Sequence, residues 1–261
     1  MMKFEKYHGL GNDFIIVDYQ SNIDYCKLAI SLCNRNLGIG ADGLIVVRLN
    51  PYEMIFFNQD GSRASMCGNG IRCFAAYCLN NKLIENNYLE VNTLAGLMKI
   101  EVLANNYRVN MGHPIFTKEA MKLTIPFCNK LNIIKEEVFP IFMATIHTVV
   151  FKNDLSNLRE LEIIGQDLVN HHYFQEKTNV NFVKIISKDE IEVLTYERGV
   201  GFTLACGSGA CAAAIISNKY FNLSNKIKVK VKHGFLLIEI KEAIYMSGPA
   251  VRICKGEIDY V

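Results

Sequence analysis

Hydrophobic and polar positions along this chain follow two distinct patterns. Two stretches, residues 71–79 and 210–218, are apolar almost all round at helical spacing. Because a helix without a polar face must be covered on every side, each is predicted to lie buried at the centre of a folded unit. Other stretches alternate apolar and polar residues, which predicts half-buried strands. The clearest of these strands are residues 88–91, 97–103, 107–111, 227–231, 235–240 and 244–246.

The same features occur twice in the same order. The sequence Met-Cys67-Gly-Asn-Gly matches Ala-Cys206-Gly-Ser-Gly, and the two cysteines are 139 positions apart. Further echoes follow, among them Gly96 and Gly234 at an offset of 138 positions, each just before a predicted strand. One such match could arise by chance, but several in one order indicate an internal duplication.

The duplication predicts the fold class. We expect an α+β protein of two pseudo-symmetric lobes, each a mixed β-sheet wrapped around a central α-helix. The N-terminal lobe, with Cys67, is predicted at residues 1–115, and the C-terminal lobe, with Cys206, at residues 116–261. The last strand can return to the N-terminal lobe. A chain of 261 residues, half of them apolar, has enough material for two cores.

Composition narrows the class of ligand. The chain has 28 basic and 26 acidic residues, a formal net charge of +2, and neither a basic block nor an acidic tail. Without a strong charge field, binding to nucleic acid or to a membrane surface is not expected, whereas a small neutral or zwitterionic molecule fits. The N-terminal segment is interrupted by Lys and Glu, and no later segment has the length of a membrane span. We therefore predict a cytoplasmic protein.

The nine cysteines are predicted to be free thiols. An odd number, without any Cys-x-x-Cys spacing, argues against a disulfide framework and against a zinc site, and we expect no metal. Free cysteines are usually buried, so Cys26, Cys33 and Cys128 are predicted to be small core residues.

Cys67 and Cys206 differ from the other thiols because each precedes a Gly-x-Gly that opens a predicted helix. A helix N-terminus favours an anion, so we expect it to lower the pKa of a thiol placed there. Inverting a carbon centre needs a base on one face and an acid on the other, and two matched thiols meet that need without pyridoxal phosphate or another cofactor. A single Cys-Gly-x-Gly would more often be a buried thiol at a tight turn, and the duplication reverses that expectation. The backbone amides available to hold a substrate carboxylate are those of Gly68, Asn69, Gly207 and Ser208.

A longer motif surrounds the first thiol. Asn58-Gln-Asp-Gly-Ser, then four residues, then Cys67-Gly-Asn-Gly-Ile-Arg72 resembles the signature of the diaminopimelate epimerase family at every defining position. The resemblance covers nearly the whole chain, and its other motifs are residues 9–14, 38–43, 178–182, 196–199 and 205–211. It implies two lobes with the active site in the cleft between them, an amino acid as substrate, no cofactor and a homodimer.

The resemblance also implies roles for individual residues. Cys67 and Cys206 are the acid/base pair, with His147 and Glu197 as polar neighbours of the thiols. Taken alone, His147 in an apolar run would be interpreted as a core histidine, and asparagines in turns as partners of their own backbone. An arginine near the far end of the substrate suits a carboxylate. Substrate contacts are implied for Asn12, Asn58, Gly68, Asn69, Thr145, Asn179, Glu197, Arg198, Gly207 and Ser208.

One departure from the family pattern concerns the substrate pocket. The family usually reads Met-Gly-Asn-Pro-His where this chain reads Met-Ala-Thr145-Ile146-His147. Thr145 cannot supply the donors of an asparagine amide, and a buried group left unpaired costs about 1–3 kcal/mol, enough to change substrate preference. Phe202 and Leu204, where Glu and Gln are frequent, make the surroundings of the second thiol more apolar.

Four functions remain open from the sequence. The first is epimerisation of LL- to meso-diaminopimelate in lysine biosynthesis. The second is racemisation of another amino acid with a polar side chain, histidine first and then lanthionine, motivated by Thr145 and Ile146. The third is a thiol hydrolase or transferase with one nucleophilic cysteine, which leaves the second Cys-Gly-x-Gly unexplained. The fourth is a binding module, for which the helix ends would suffice without thiols.

Overall fold

The computed structural model of the protein describes residues 1–104 and 106–259. The chain divides into two compact units. Unit 1 consists of Met1–Asn110 and Ser247–Val261, and unit 2 of Met111–Met246. Within the described residues, no helix has the length and apolar character needed to cross a membrane.

Unit 1 begins the chain with eight strands and two helices. Helix α1 starts at Asp24, whose side chain accepts a hydrogen bond from the Lys27 amide. The elements are β1 (Met2–Gly9), β2 (Asn12–Asp18), α1 (Tyr25–Cys33), β3 (Gly43–Arg48), β4 (Glu53–Asn58), β5 (Arg63–Ala64), α2 (Gly68–Asn80), β6 (Tyr88–Thr93), β7 (Gly96–Val102) and β8 (Tyr107–Asn110).

The sheet of unit 1 has one helix on each face. Alternate residues of a strand point to opposite faces, and Ile15 and Val17 of β2 belong to the apolar cluster under α1. Ile45 of β3 points the other way, because its Cδ1 lies 3.3 Å from the position that a Cβ at Gly70 of α2 would occupy. Helix α2 therefore lies on the face opposite α1.

Unit 2 has nine strands and two helices. Helix α3 begins at Asn157, whose side chain accepts from the Glu160 amide, and packs over a second apolar cluster that includes Leu161 and Phe182. The elements are β9 (Leu131–Ile133), β10 (Glu136–Met143), β11 (Thr145–Phe151), α3 (Leu158–Val169), β12 (Asn179–Ile185), β13 (Glu190–Glu197), β14 (Gly201–Thr203), α4 (Gly207–Phe221), β15 (Lys226–Val231), β16 (Gly234–Ile240) and β17 (Ile244–Gly248).

The final strand, β18 (Val251–Ile258), belongs to unit 1. It pairs antiparallel with β1, from Met2 opposite Ile258 to His8 opposite Val251. The N-terminal strand of the chain is therefore flanked by β2 on one side and by β18 on the other.

The two units share one order of elements and one pattern of strand pairing. Unit 1 pairs β1/β2 antiparallel, β2/β3 parallel, β3/β4 antiparallel, β4/β6 parallel and β6/β7 antiparallel. Unit 2 repeats this alternation in β10/β11, β11/β12, β12/β13, β13/β15 and β15/β16. The duplication read from the cysteine motifs thus extends to elements without an obvious sequence repeat.

Strand register identifies equivalent positions in the two units. Phe14 of β2 lies opposite Gly43, and His147 of β11 lies opposite Asn179, in the two parallel pairs. Two residues further along the partner strands are Ile45 in unit 1 and Asn181 in unit 2. The equivalent pairs used below are Phe14 and His147, and Ile45 and Asn181.

The secondary structure predicted from the sequence is confirmed at both helices and at the six strands. The apolar stretches 71–79 and 210–218 lie inside α2 and α4. Nearly all of the first ten residues of each helix are buried. The strand predictions agree to within two residues with β6, β7, β8, β15, β16 and β17. The α+β class is confirmed, as a mixed sheet with four helices among the described residues.

The cysteine prediction is partly wrong. None of the nine cysteines forms a disulfide, and Cys33 is buried as predicted. Cys26 and Cys128 are exposed instead. Cys26 lies in the first turn of α1, beyond the apolar cluster that covers Cys33, and Cys128 lies in the irregular segment before β9.

Candidate active site

Cys67 is the N-cap residue of α2. Its backbone is extended, at φ −132° and ψ 120°, and its Sγ accepts a hydrogen bond from the Gly70 amide at 3.4 Å. The thiol therefore lies among the first amides of the helix, where no carbonyl of the preceding turn is available to pair with them. This position favours a negative charge on sulfur or on a ligand carboxylate.

Asparagine side chains connect this thiol to an acidic group. Asn12 Oδ1 lies 3.8 Å from Cys67 Sγ and accepts from Asn69 Nδ2 at 3.0 Å. On its other side, Asn12 Nδ2 donates to Asp42 Oδ2 at 2.6 Å. The amide of Asn12 is therefore oriented by Asp42, so that its oxygen faces the thiol.

A charged cluster continues from Asp42. Arg35 Nη2 lies 2.7 Å from both Asp42 Oδ1 and Asp13 Oδ1, and Lys6 Nζ lies 2.9 Å from Asp13 Oδ2. Burial raises the pKa of Asp13, but hydrogen bonds from Arg35 and Lys6 outweigh it and lower the pKa below the ordinary value. Asp13 therefore remains ionised at neutral pH.

Arg72 of α2 has no exposed surface, although it carries a charge. Its Nη1 donates to the Gly68 carbonyl at 2.9 Å, and its Nη2 donates to Asn69 Oδ1 at 2.9 Å. Its Nε donates to the carbonyl of Pro249 at 3.3 Å. The guanidinium thus orients the Asn69 side chain and holds the first turn of α2.

Asn58 ends β4 at the turn before Cys67. Its Nδ2 donates to Ser62 Oγ at 2.9 Å, and its backbone amide donates to the Ser62 carbonyl at 2.8 Å. In this structure the side chain therefore stabilises its own turn.

Cys206 is the N-cap residue of α4, with an extended backbone at φ −116° and ψ 110°. Its Sγ lies 3.5 Å from Ser208 Oγ, and that hydroxyl lies 3.0 Å from His147 Nε2. His147 is fully buried, and burial, together with a smaller effect of the Arg198 charge, lowers its pKa to about 3. The imidazole is therefore neutral at neutral pH.

Glu197 is a second polar neighbour of Cys206. Its Oε1 accepts from Thr203 Oγ1 at 2.7 Å, and the carboxyl is hydrogen-bonded to Cys206. Burial raises the pKa of Glu197, and the hydrogen bonds from Thr203 and Cys206 oppose the shift only in part. Such a carboxyl can take up and release a proton closer to neutrality than an exposed one.

Arg198 lies between three groups of unit 2. Its backbone amide donates to Asn179 Oδ1 at 3.0 Å. Its Nη1 donates to the Glu176 carbonyl at 2.7 Å, and its Nη2 donates to Thr145 Oγ1 at 3.0 Å. Thr145 thus serves as an acceptor for Arg198, the opposite of the donor role that an asparagine amide could take toward a ligand.

The structure groups the predicted site residues by unit. Cys67 lies with Asn12, Gly68 and Asn69 in unit 1, and Cys206 lies with Gly207, Ser208, His147 and Glu197 in unit 2. Thr145, Asn179 and Arg198 form one hydrogen-bonded group, whereas Asn58 bonds its own turn.

Sequence reasoning missed the side chains that orient these groups. They are Asp42 and Asn181, and also Arg72, which was quoted only as part of the motif. Asp42 and Asn181 lie inside the motifs at residues 38–43 and 178–182, and this was the available signal.

The chain is similar to known proteins over nearly its whole length. The family model described as diaminopimelate epimerase matches residues 4–117 and 139–253. A diaminopimelate epimerase of Caldanaerobacter subterraneus is 40% identical over 279 residues, which cover 99% of this chain and 100% of that protein. One of Halothermothrix orenii is also 40% identical, covering 98% of each chain.

Solved structures with a similar fold are more distant in sequence. A phenazine biosynthesis protein of Bacillus anthracis superposes with a TM-score of 0.72 at 14% identity, covering 99% of each chain. A probable proline racemase of Agrobacterium radiobacter gives a TM-score of 0.69 at 11% identity, covering 99% of this chain and 93% of that one. These likenesses show the fold, while the family match spans most of the sequence. The chain belongs to the diaminopimelate epimerase family.

Proposed function

We propose that the protein is an isomerase that inverts the α-carbon of an amino acid without a cofactor, and that it converts LL- to meso-diaminopimelate. The observation that carries this proposal is the pair of thiols, Cys67 and Cys206, at the N-caps of equivalent buried helices. In this proposal units 1 and 2 are the two lobes that the family resemblance implies, and each lobe supplies one thiol to the reaction.

The proposed reaction is a proton transfer on each face of the α-carbon. One thiolate takes the α-proton, so a C–H bond breaks and an S–H bond forms. The opposite thiol gives its proton to the other face, so that the two cysteines exchange protonation states in each turnover. The amides at Gly68, Asn69, Gly207 and Ser208 would stabilise the charge that develops on the substrate carboxylate.

Polar neighbours restore the protonation states between turnovers. Glu197, with its raised pKa and its hydrogen bond to Cys206, is suited to exchange a proton with that thiol. His147 is neutral and reaches the thiol only through Ser208, so it acts by orienting the hydroxyl. In unit 1, Asn12 takes the position beside Cys67.

The distal end of the substrate would be held by the group around Arg198. Two of its N–H groups are used by Glu176 and Thr145, and the guanidinium has further donors for a carboxylate. Asn12, Asn58 and Asn179 complete the proposed set of distal contacts. For Asn58 this requires that its amide leave Ser62 when substrate binds.

The direct test is incubation of the purified protein with LL-diaminopimelate in deuterated water, without added cofactor, followed by chiral chromatography and mass spectrometry. We expect meso-diaminopimelate carrying deuterium at the inverted α-carbon. Product that forms without deuterium, or only after addition of pyridoxal phosphate, would exclude the two-thiol mechanism.

Variants of the two thiols form the matched controls. We expect Cys67→Ala and Cys206→Ala to lower the rate of inversion by about 10²–10⁴-fold, the range for loss of an acid or base, with circular dichroism unchanged. In each variant the remaining thiol should still exchange the α-proton of one substrate stereoisomer with solvent. The stereoisomer that exchanges should differ between the two variants. Full inversion by either variant would contradict the assignment.

A second substrate is favoured by one specific contact. Thr145 has no side-chain amide to donate a hydrogen bond to a ligand, and its hydroxyl oxygen already accepts a hydrogen bond from Arg198. The pocket therefore differs from that of relatives with the Asn-Pro pair. Another amino acid with a polar side chain, histidine first and lanthionine next, would then be the substrate. The retained Arg198 disfavours proline.

Competition between substrates tests this alternative. The rates with LL-diaminopimelate, L-histidine, L-lanthionine and L-proline are compared for the natural protein and for Thr145→Asn. We expect diaminopimelate to be fastest and Thr145→Asn to raise its kcat/KM further, by about tenfold, as one added polar contact would. Thr124→Asn, at an exposed threonine of unit 2, is the control and should change nothing. Faster formation of D-histidine than of the meso product would establish the alternative.

We also propose a cytoplasmic homodimer. Nine cysteines without a disulfide among them are typical of a reducing compartment. The last strand exposes apolar side chains, with Val251 and Ile253 each about half accessible, which suits burial against a second copy. Light scattering coupled to size-exclusion chromatography should give twice the chain mass of 29.5 kDa. A mass of one chain at micromolar concentration would exclude a stable dimer.

A further inference from the structure

A chain of polar side chains leads from the Cys206 thiol into the core of unit 2. Ser208 Oγ contacts Cys206 Sγ at 3.5 Å and His147 Nε2 at 3.0 Å. On the other side of the ring, His147 Nδ1 lies 3.1 Å from Asn181 Nδ2. His147 and Asn181 have no exposed surface. Every link is within hydrogen-bonding distance, so the thiol and Asn181 are connected.

The direction of each hydrogen bond follows from one backbone carbonyl. Asn181 Nδ2 lies 3.3 Å from the carbonyl oxygen of Thr148, which can only accept, so the amide nitrogen must face that way. Thr195 Oγ1 then donates to Asn181 Oδ1 at 3.0 Å. The same amide nitrogen faces His147 Nδ1, which must therefore be the acceptor.

A neutral imidazole with an accepting Nδ1 carries its hydrogen on Nε2. That N–H donates to Ser208 Oγ. The Ser208 hydroxyl hydrogen is then available for the sulfur of Cys206. If the tautomer were reversed, Nε2 would take the Ser208 hydrogen, and the thiolate would lose this donor.

We propose that Asn181 is a positioning residue for the reaction: it holds His147 in the tautomer that directs the Ser208 hydroxyl toward the thiolate of Cys206. The inference deepens the proposed function and rests on it only for the use of Cys206 as an acid and base. Two charged side chains, Glu197 beside the thiol and Arg198 near the imidazole, act on the same groups from the end of β13.

Packing around Asn181 supports a dedicated role. A Cβ at Gly209 of α4 would come within 2.3 Å of Asn181 Oδ1 and 3.2 Å of Thr195 Oγ1, so only a glycine admits the amide here. At the equivalent positions of unit 1, Ile45 replaces Asn181 and Phe14 replaces His147. The sheet position itself therefore does not require polar residues.

The first test reads the tautomer in the natural protein. Nitrogen-15 spectra of protein labelled at histidine distinguish a protonated Nε2 from a protonated Nδ1. We expect His147 to be neutral at pH 7 with its hydrogen on Nε2. A hydrogen on Nδ1, or a charged ring, would overturn the proposal, and the test needs neither a variant nor a substrate.

The second test measures the thiol itself. Iodoacetamide reacts with thiolates, so peptide-resolved alkylation as a function of pH gives a midpoint for each cysteine of the intact protein. In Asn181→Leu, which keeps the shape of the side chain, we expect the midpoint of Cys206 to rise by about one pH unit, the effect of one lost hydrogen bond to a charged group. The midpoint of Cys67 should not move. Glu197 and Arg198 are unchanged in this variant, so they do not account for a shift at Cys206.

An unchanged Cys206 midpoint would overturn the proposal, and so would equal shifts at Cys206 and Cys67, which would indicate a general loosening. Thr195→Val removes a partner of Asn181 without touching the bond to Thr148, and should leave both midpoints unchanged. Because alkylation uses no amino-acid substrate, absence of epimerase activity together with a selective shift at Cys206 would disprove the proposed function alone.

Discussion

The starts of α2 and α4 have the same backbone arrangement and different chemical surroundings. Under α2 the sheet presents apolar side chains, Phe14 and Ile45, at positions where unit 2 has His147 and Asn181. The polar neighbour of Cys67 is Asn12, the first residue of β2. Cys206 is instead connected through Ser208 to His147, which lies in the interior of β11. Duplication therefore preserved the position of the thiol but not the side chains that act on it.

The two surroundings also differ in charge. In unit 1 the network ends in Asp42, which is salt-bridged to Arg35, and in the buried Arg72, and both orient asparagines beside the thiol. In unit 2 it runs through a neutral imidazole, a hydroxyl and an amide, with Glu197 as the titratable group. The comparison teaches that one backbone motif can be adjusted either by fixed charges or by oriented neutral hydrogen bonds.

The largest expected effect concerns the buried charge of unit 1. Arg72→Met leaves three acceptors of unit 1 without their donor, at about 1–3 kcal/mol each, so we expect the free energy of unfolding to fall by about 3–5 kcal/mol. The measurement is the midpoint of urea denaturation. Arg63→Met, at an exposed arginine of the same unit, should change it by less than about 0.5 kcal/mol. Equal losses in the two variants would show that burial of Arg72 carries no special weight.

A smaller effect is the pH dependence of the free energy of unfolding, which differs between titratable groups of the two units. The folded pKa of His147, about 3, lies below its unfolded value, so stability falls as pH drops from about 6.5 toward 3, by at most about 1.4 kcal/mol per pH unit. The contribution of Asp13 in unit 1 to the free energy of unfolding is also lost in acid, but only near and below the ordinary pKa of an aspartate. Glu197 has the opposite sign, because a raised pKa favours folding at low pH.

Replacement of His147 isolates its contribution. In His147→Gln the loss of stability between about pH 6.5 and 3 should become shallower, while the loss below about pH 3, where the histidine is protonated in both states, should remain about as in the natural protein. Urea midpoints at each pH measure both regions. Identical slopes between about pH 6.5 and 3 in the two proteins would show that the histidine does not titrate on unfolding.

The smallest effect compares the two helix glycines. At Gly70 a Cβ would lie 3.3 Å from Ile45 Cδ1, a tight contact that a methyl group can relieve, and alanine also favours the helix by up to about 1 kcal/mol. At Gly209 the Cβ would collide with the Asn181 amide. We expect Gly70→Ala to be nearly neutral and Gly209→Ala to destabilise by about 1–3 kcal/mol, as measured by thermal unfolding. The reverse order would contradict the close packing of Asn181.

Local patterns were enough to predict the two central helices, α2 and α4, with their N-caps and the six strands, but not α1 or α3. Each Cys-Gly-x-Gly stands directly before a long apolar run, which places a helix start there, and continuous apolar character requires a central helix. The prediction for Cys26 and Cys128 was wrong because average burial of a residue type does not describe one helix end or one irregular segment.

The orienting side chains depend on long-range pairing and could not be predicted. Arg72 and Pro249 are 177 positions apart in sequence and meet only because β18 returns to unit 1. Asn181 looks like an ordinary strand residue until the parallel register of β11 and β12 places it beside His147. Hydrophobic periodicity specifies which face a residue occupies but not its neighbour on the next strand.

The return of β18 to β1 has a consequence for synthesis on the ribosome. Unit 2 is continuous in sequence, whereas unit 1 lacks the partner of β1 until β18 has been translated. At about 5–20 residues per second, the stretch between β8 and β18 takes on the order of ten seconds. The N-terminal unit is thus begun first and completed last, and one edge of β1 waits unpaired while the second unit folds.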